Sequence, residues 1–244
     1  MALEDAERRL DEGNRLLAQG ASSAAAEAFR SGLAELPADE RGGTIAAHLL
    51  NGLGSAERSE GRFDAACAAL EQALSIVRSQ DPASAATGMV LNNFGYALFS
   101  AGDLAGAAPR LYEALTILEA AAPDSPALLE CLDNVCGCEI RQGNLAGATA
   151  TAQQGLRLAV VLDRGEADLA PRLVVLGTLY LELGDPAIAI ESLVRALNLY
   201  RLIDPRAPEV VQAIQGLARA HEALGEHDEA VRYLEQGVKL IEDS

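Results

Sequence analysis

Glycine recurs at Gly20, Gly61, Gly102, Gly143, Gly184 and Gly225, each 41 residues after the last. A period of that length, held in register across nearly the whole chain, leaves one class of architecture. Each unit is a small supersecondary element that cannot bury its own apolar face and must stack on its neighbours. Other columns keep the same register. Five residues after each glycine stands an alanine: Ala25, Ala66, Ala107, Ala148, Ala189 and Ala230. Twelve after it the residue is Ala or Gly, followed directly by Leu33, Leu74, Leu115, Leu156, Leu197 or Val238. Seven before it the residue is again small: Gly13, Gly54, Gly95, Cys136, Gly177 and Ala218.

Physical chemistry turns these columns into helices. Glycine takes the left-handed conformation that ends one helix, and polar residues then start the next, so each unit reads helix, tight turn, helix. The stretch Arg62–Ile76 carries Phe63, Ala66, Cys67, Leu70, Ala73 and Leu74 at the three- and four-residue spacing of an amphipathic helix. Glycine inside a helix loses up to about 1 kcal/mol against alanine, so the small columns must mark close helix contacts. Composition agrees: apolar residues make up 50% of the 244 and aromatics only 4%. The core is therefore Ala, Leu, Val and Gly, which argues against a β-sandwich rich in aromatic and β-branched side chains.

The pattern resembles the tetratricopeptide repeat (TPR). The first unit matches with Gly13, Leu16, Gly20, Ala25, Phe29, Gly32 and Pro37, and the fifth with Leu176, Gly177, Tyr180, Gly184, Ala189, Leu193 and Ala196. The departures are Cys136 and Ala152 in the fourth unit, His221 in the sixth, and a period of 41 instead of 34. The longer period is similar to the kinesin-light-chain type, whose Leu-Asn-Asn-apolar-small run appears as Leu91-Asn92-Asn93-Phe94-Gly95. The resemblance implies an all-α, right-handed superhelical solenoid of six helix-turn-helix repeats, a single domain over 1–244. Its repeats fall at about 5–38, 46–79, 87–120, 128–161, 169–202 and 210–243.

In the family, partners lie in a concave groove lined by the first helices. Carried onto this chain, the groove positions are Asn51, Ser55 and Arg58, then Asn92, Asn93, Tyr96 and Phe99, then Asp133 and Asn134, with Arg141 nearby. An asparagine side chain carries a donor and an acceptor, so Asn51, Asn92, Asn93 and Asn134 can hold the backbone of an extended peptide while Tyr96 and Phe99 meet its apolar side chains. Arg58 and Arg141 read either as contacts for an acidic partner or as exposed surface charge. The leading expectation is a non-catalytic adaptor or scaffold that binds a peptide segment of another protein. A regulatory or sensor subunit is the alternative, and an enzyme the remote one.

Several classes are disfavoured. The balance of 19 basic against 36 acidic residues, −17 net, opposes nonspecific nucleic-acid binding. No apolar run approaches the roughly 18 residues of a membrane span, and the acidic start MALEDAERRL is unlike a secretory signal, so a cytoplasmic location, in a bacterium by its Ala-, Gly- and Arg-rich usage, is expected. Cys131, Cys136 and Cys138 lie within one predicted helix, with Cys131 and Cys138 about 10.5 Å apart along its axis, too far for a disulfide. His221 and His227 lack the spacing of a zinc-protease helix, and neither a metal, a cofactor nor a catalytic site is expected. The last predicted helix, with Val231, Leu234, Val238 and Ile241, has no capping helix after it, so self-association, a partner protein or the continuation of a longer array is expected there.

Overall fold

In the computed structural model, residues 2–242 are described, and they form twelve α-helices and no strand. In chain order these are α1 (Ala2–Ala18), α2 (Ser22–Glu35), α3 (Thr44–Ser59), α4 (Phe63–Gln80), α5 (Ala85–Ser100) and α6 (Leu104–Ala121). Then follow α7 (Pro126–Gln142), α8 (Leu145–Val161), α9 (Glu166–Leu183), α10 (Pro186–Ile203), α11 (Pro208–Ala223) and α12 (His227–Glu242). Two compact units divide them, Met1–Pro123 with α1–α6 and Asp124–Ser244 with α7–α12. The all-α reading and the helix-turn-helix repeats are thus borne out.

All six turn glycines have positive φ, from +73° to +88°, and a Cβ built on any of them would meet nothing within 4 Å. Glycine is required there by conformation and not by space. The N–H after each glycine reaches back to the carbonyl five residues earlier, as in Arg62 to Glu57 at 2.9 Å and Asp185 to Tyr180 at 2.8 Å. This bond, repeated at every turn, is the Schellman closure that satisfies the last carbonyls of the first helix. Polar residues then start several of the following helices. Asp103 accepts from the Gly106 N–H at 2.9 Å and Asn144 from the Gly147 N–H at 3.2 Å.

Within each repeat the two helices pack through the small columns. A Cβ on Gly54 would lie 2.4 Å from Leu70 Cγ, one on Gly95 2.7 Å from Leu111 Cγ, and one on Gly177 2.5 Å from Leu193 Cγ. Glycine on the first helix thus makes room for leucine on the second. In the first unit α2 then packs on α3 and α4 on α5, which sets the first helices α1, α3 and α5 side by side. Phe29, Leu49, Leu70 and Leu91 are fully buried there. In the second unit α8 packs on α9 and α10 on α11, α9 lies beside α11, and Leu173, Leu193, Ile214 and Leu217 are buried to 1% exposure or less.

Candidate functional site

In the first unit, α3 and α5 present a continuous set of side chains. Asn51 and Arg58 are seven residues apart, two turns along one face of α3. The Asn93 side-chain amide donates to Asn51 Oδ1 at 2.9 Å. Two turns further on, the Arg58 guanidinium lies over the Tyr96 ring, 4.3 Å from its centroid, and Tyr96 stacks on Phe99 at 6.1 Å between centroids. A cation over an aromatic face and two stacked rings fix each other's orientation. Ser55 is half-buried between Asn51 and Arg58, and Met89, 45% exposed, stands on the same α5. The structure therefore brings five of the groove residues, Asn51, Arg58, Asn93, Tyr96 and Phe99, into one patch.

The remaining positions are placed differently. Asn92 is buried at 3% exposure, although it shares its column with the half-buried Asn51. Asn134 is half-buried on α7, and Arg141 is exposed in the last turn of that helix, where a cation complements the helix dipole. Asp133 is also on α7. Its carboxylate accepts from Arg172 Nη2 of α9, and Arg172 Nη1 donates to the Asp168 carbonyl at 2.7 Å. Crowding by its neighbours pushes the Asp133 carboxyl above the usual carboxylate range, and the Arg172 charge pulls against that. Arg172 Nε is buried with no acceptor. Beside this pair a cavity of about 270 Å³ opens between α7 and α9, with Gly137 and Ile140 on one wall, Val175 on the other, and Ala152 of α8 at the side.

The chemistry of reactive groups here is quiet. Burial, followed by the Glu139 and Asp133 charges, pushes the Cys136 thiol up to about 12, so it stays protonated at neutral pH, with Sγ 3.5 Å from the Ala148 carbonyl. His221 stacks on Tyr233 at 5.3 Å and pairs with Glu226 Oε2 through Nδ1 at 2.6 Å, a packing and hydrogen-bonding role. Among the described residues no three His, Cys, Asp or Glu converge to hold a metal ion. The column four before the turn glycine holds two carboxylates that sequence reasoning passed over. Glu57, 2% exposed, is clamped by Arg30 and Arg62, and Glu139 accepts from Thr151 Oγ1 at 2.8 Å. Arg172 was also missed. Its signal was an arginine in a column otherwise occupied, from the second repeat on, by Leu49, Val90, Cys131 and Ala213.

The glycine-closed helix pairs, the small columns and the adjoining first helices define a tetratricopeptide repeat protein. Within that class the MalT-like TPR region matches residues 43–244, and the chain belongs to that family. BtubC (BKLC) from P. vanneervenii is similar in structure, with a TM-score of 0.72 at 20% identity over 98% of this chain and 91% of that one. The Podosopora anserina putative kinesin light chain, with nearly identical TPR-like repeats, gives a TM-score of 0.69 at 17% identity over 82% and 96%. A chain of the APC/C hetero-tetramer Cut9-Hcn1 gives 0.68 at 17% identity, covering 99% of this chain and 41% of that one. No curated protein matches the sequence. No described helix is long and apolar enough to cross a membrane.

Proposed function

We propose that the chain is a non-catalytic interaction module that holds an extended peptide segment of a partner protein on the first-helix face of its first unit. One observation carries this reading. The Asn93–Asn51 hydrogen bond uses one donor and one acceptor, and leaves the Asn51 side-chain N–H and the Asn93 side-chain oxygen as donor and acceptor for a ligand. That is the complement of a peptide group. The stacked Arg58, Tyr96 and Phe99 lie alongside as an apolar and cationic shelf. The fold supports the reading too: the TPR is a scaffold fold, and one structural neighbour was solved as a hetero-tetramer.

The test is a displayed library of random peptides selected on the immobilised protein. The recovered peptides are then titrated calorimetrically against wild type and the Asn51→Ala, Asn93→Ala variant. Two lost hydrogen bonds of about 1 kcal/mol each predict roughly ten- to thirtyfold weaker binding, with the helical circular-dichroism signal unchanged. Equal affinity for both proteins, or a selection that yields no binder, sinks the reading.

A further inference from the structure

The cavity of the second unit has an identifiable origin. Nine residues after each turn glycine the chain carries Phe29, Leu70, Leu111, Ala152, Leu193 and Leu234, and four of these large side chains insert against Gly13, Gly54, Gly95 and Gly177 of the paired helix. The fourth repeat inverts the arrangement, with Cys136 in the glycine column and Ala152 in the leucine column. One sulfur replaces only part of a leucine side chain, so the pair is underpacked where its counterparts are filled. Leu70, Leu111 and Leu193 are 0–1% exposed, whereas Ala152 and Cys136 line a space of about 270 Å³. Gly137 deepens it, since its column otherwise carries Asn14, Ser55, Tyr96, Thr178 and Arg219.

The space is reached from outside. Ile140 and Val175 at its edges are 40% and 38% exposed, and the Asp133 side chain is 46% exposed. Its walls are apolar except for Asp133 and Arg172, whose charges cancel in their ion pair. A charged occupant gains nothing there, and an apolar one buries its surface.

We propose that this cavity is a subsite for one leucine-like side chain presented by a peptide. The missing internal leucine is supplied in trans. This goes beyond the peptide face of the first unit and stands or falls separately, because the two involve different residues and different units.

The test is titration of the full chain with N-acetyl-leucine methylamide, followed by ¹⁵N NMR, beside the glycine and glutamate analogues. The expected result is saturable shifts at Gly137, Ala152 and Val175, with leucine binding about tenfold or more tighter than either analogue. The variant Cys136→Gly, Ala152→Leu rebuilds the pair found in the second, third and fifth repeats and is expected to abolish the shifts. Gly137→Thr, which copies Thr178, is the second variant and is expected to weaken them should the first fail to fold. Absence of saturable shifts, no preference for leucine, or unchanged shifts in a folded variant would overturn the proposal. Loss of peptide binding in the Asn51→Ala, Asn93→Ala protein leaves these shifts unaltered, so the two readings fail independently.

Discussion

At the scale of single residues, the fold rests on glycines that stay inside helices against their own propensity. Gly95 is such a case: a Cβ there would meet Leu111 Cγ at 2.7 Å, Cδ2 at 2.8 Å and the Leu111 backbone nitrogen at 3.2 Å. Leu111 is 1% exposed and has nowhere to retreat, and a backbone atom cannot swing aside. Gly95→Ala gains at most about 1 kcal/mol of helix propensity and incurs about 1–3 kcal/mol of overpacking, so it is expected to destabilise. Urea denaturation would show a lower midpoint, and an equal or raised midpoint would mean that α5 and α6 are not in close contact. The same scale explains why Glu57 is tolerated at 2% exposure. Arg30 and Arg62 each bind one of its oxygens, and the Glu57 interaction is the leading cause that raises the Arg62 pKa.

At the scale of the helix, the turns differ in one informative place. Alone among the described second helices, α8 is followed by a left-handed residue, Asp163, with φ of +51°, the one described non-glycine residue with positive φ. Its N–H bonds to the Val160 carbonyl at 3.1 Å and the next, from Arg164, to Ala159 at 3.0 Å, the same closure as at the turn glycines. Aspartate adopts this conformation at a cost that glycine avoids, so Asp163→Gly is expected to stabilise by about 0.5–1 kcal/mol, read as a raised Tm. A lowered Tm would show that the aspartate side chain contributes something the backbone does not reveal. Helix ends of the glycine type were legible in the sequence because one conformational demand recurs six times in register. The Asp163 turn was not, since it occurs once and any polar residue fits a loop. The site shows the same division. Asn51, Arg58, Asn93, Tyr96 and Phe99 followed from column positions, which fix the face a residue shares. The burial of Asn92 did not, because a column position fixes the face a residue shares and not how closely the neighbouring helices cover it. Cys136 and Ala152 were visible as departures, but the cavity depends on a volume difference between two columns on different helices.

At the scale of the whole molecule, α12 exposes an apolar stripe that the equivalent helix of the preceding repeat buries. In the preceding repeat, the columns of Leu234, Val238 and Ile241 hold Leu193, Leu197 and Tyr200, which are 1%, 3% and 7% exposed and packed under α11. On α12 Leu234, Val238 and Ile241 are 50%, 54% and 63% exposed, and Val231 adds 52% one turn earlier. Their spacing of three and four residues puts all four on one stripe. A repeat helix from another copy would have to offer an apolar face to match, and α1 does not: it carries exposed Arg8 and Arg15 where later first helices bury Leu49 and Ala56 or Val90 and Ala97. Head-to-tail addition is thereby disfavoured, and the stripe is expected to pair with its own copy about a twofold axis. Two chains of net charge −17 repel at long range, so the association should strengthen as salt screens them. Sedimentation velocity over rising concentration, at low and at high salt, is expected to show a monomer–dimer equilibrium shifted toward dimer by both. Leu234→Glu, Val238→Glu should remain monomeric throughout, with unchanged helicity because both positions face solvent in the single chain. A wild type that stays monomeric at every concentration and salt would remove self-association as the role of this stripe.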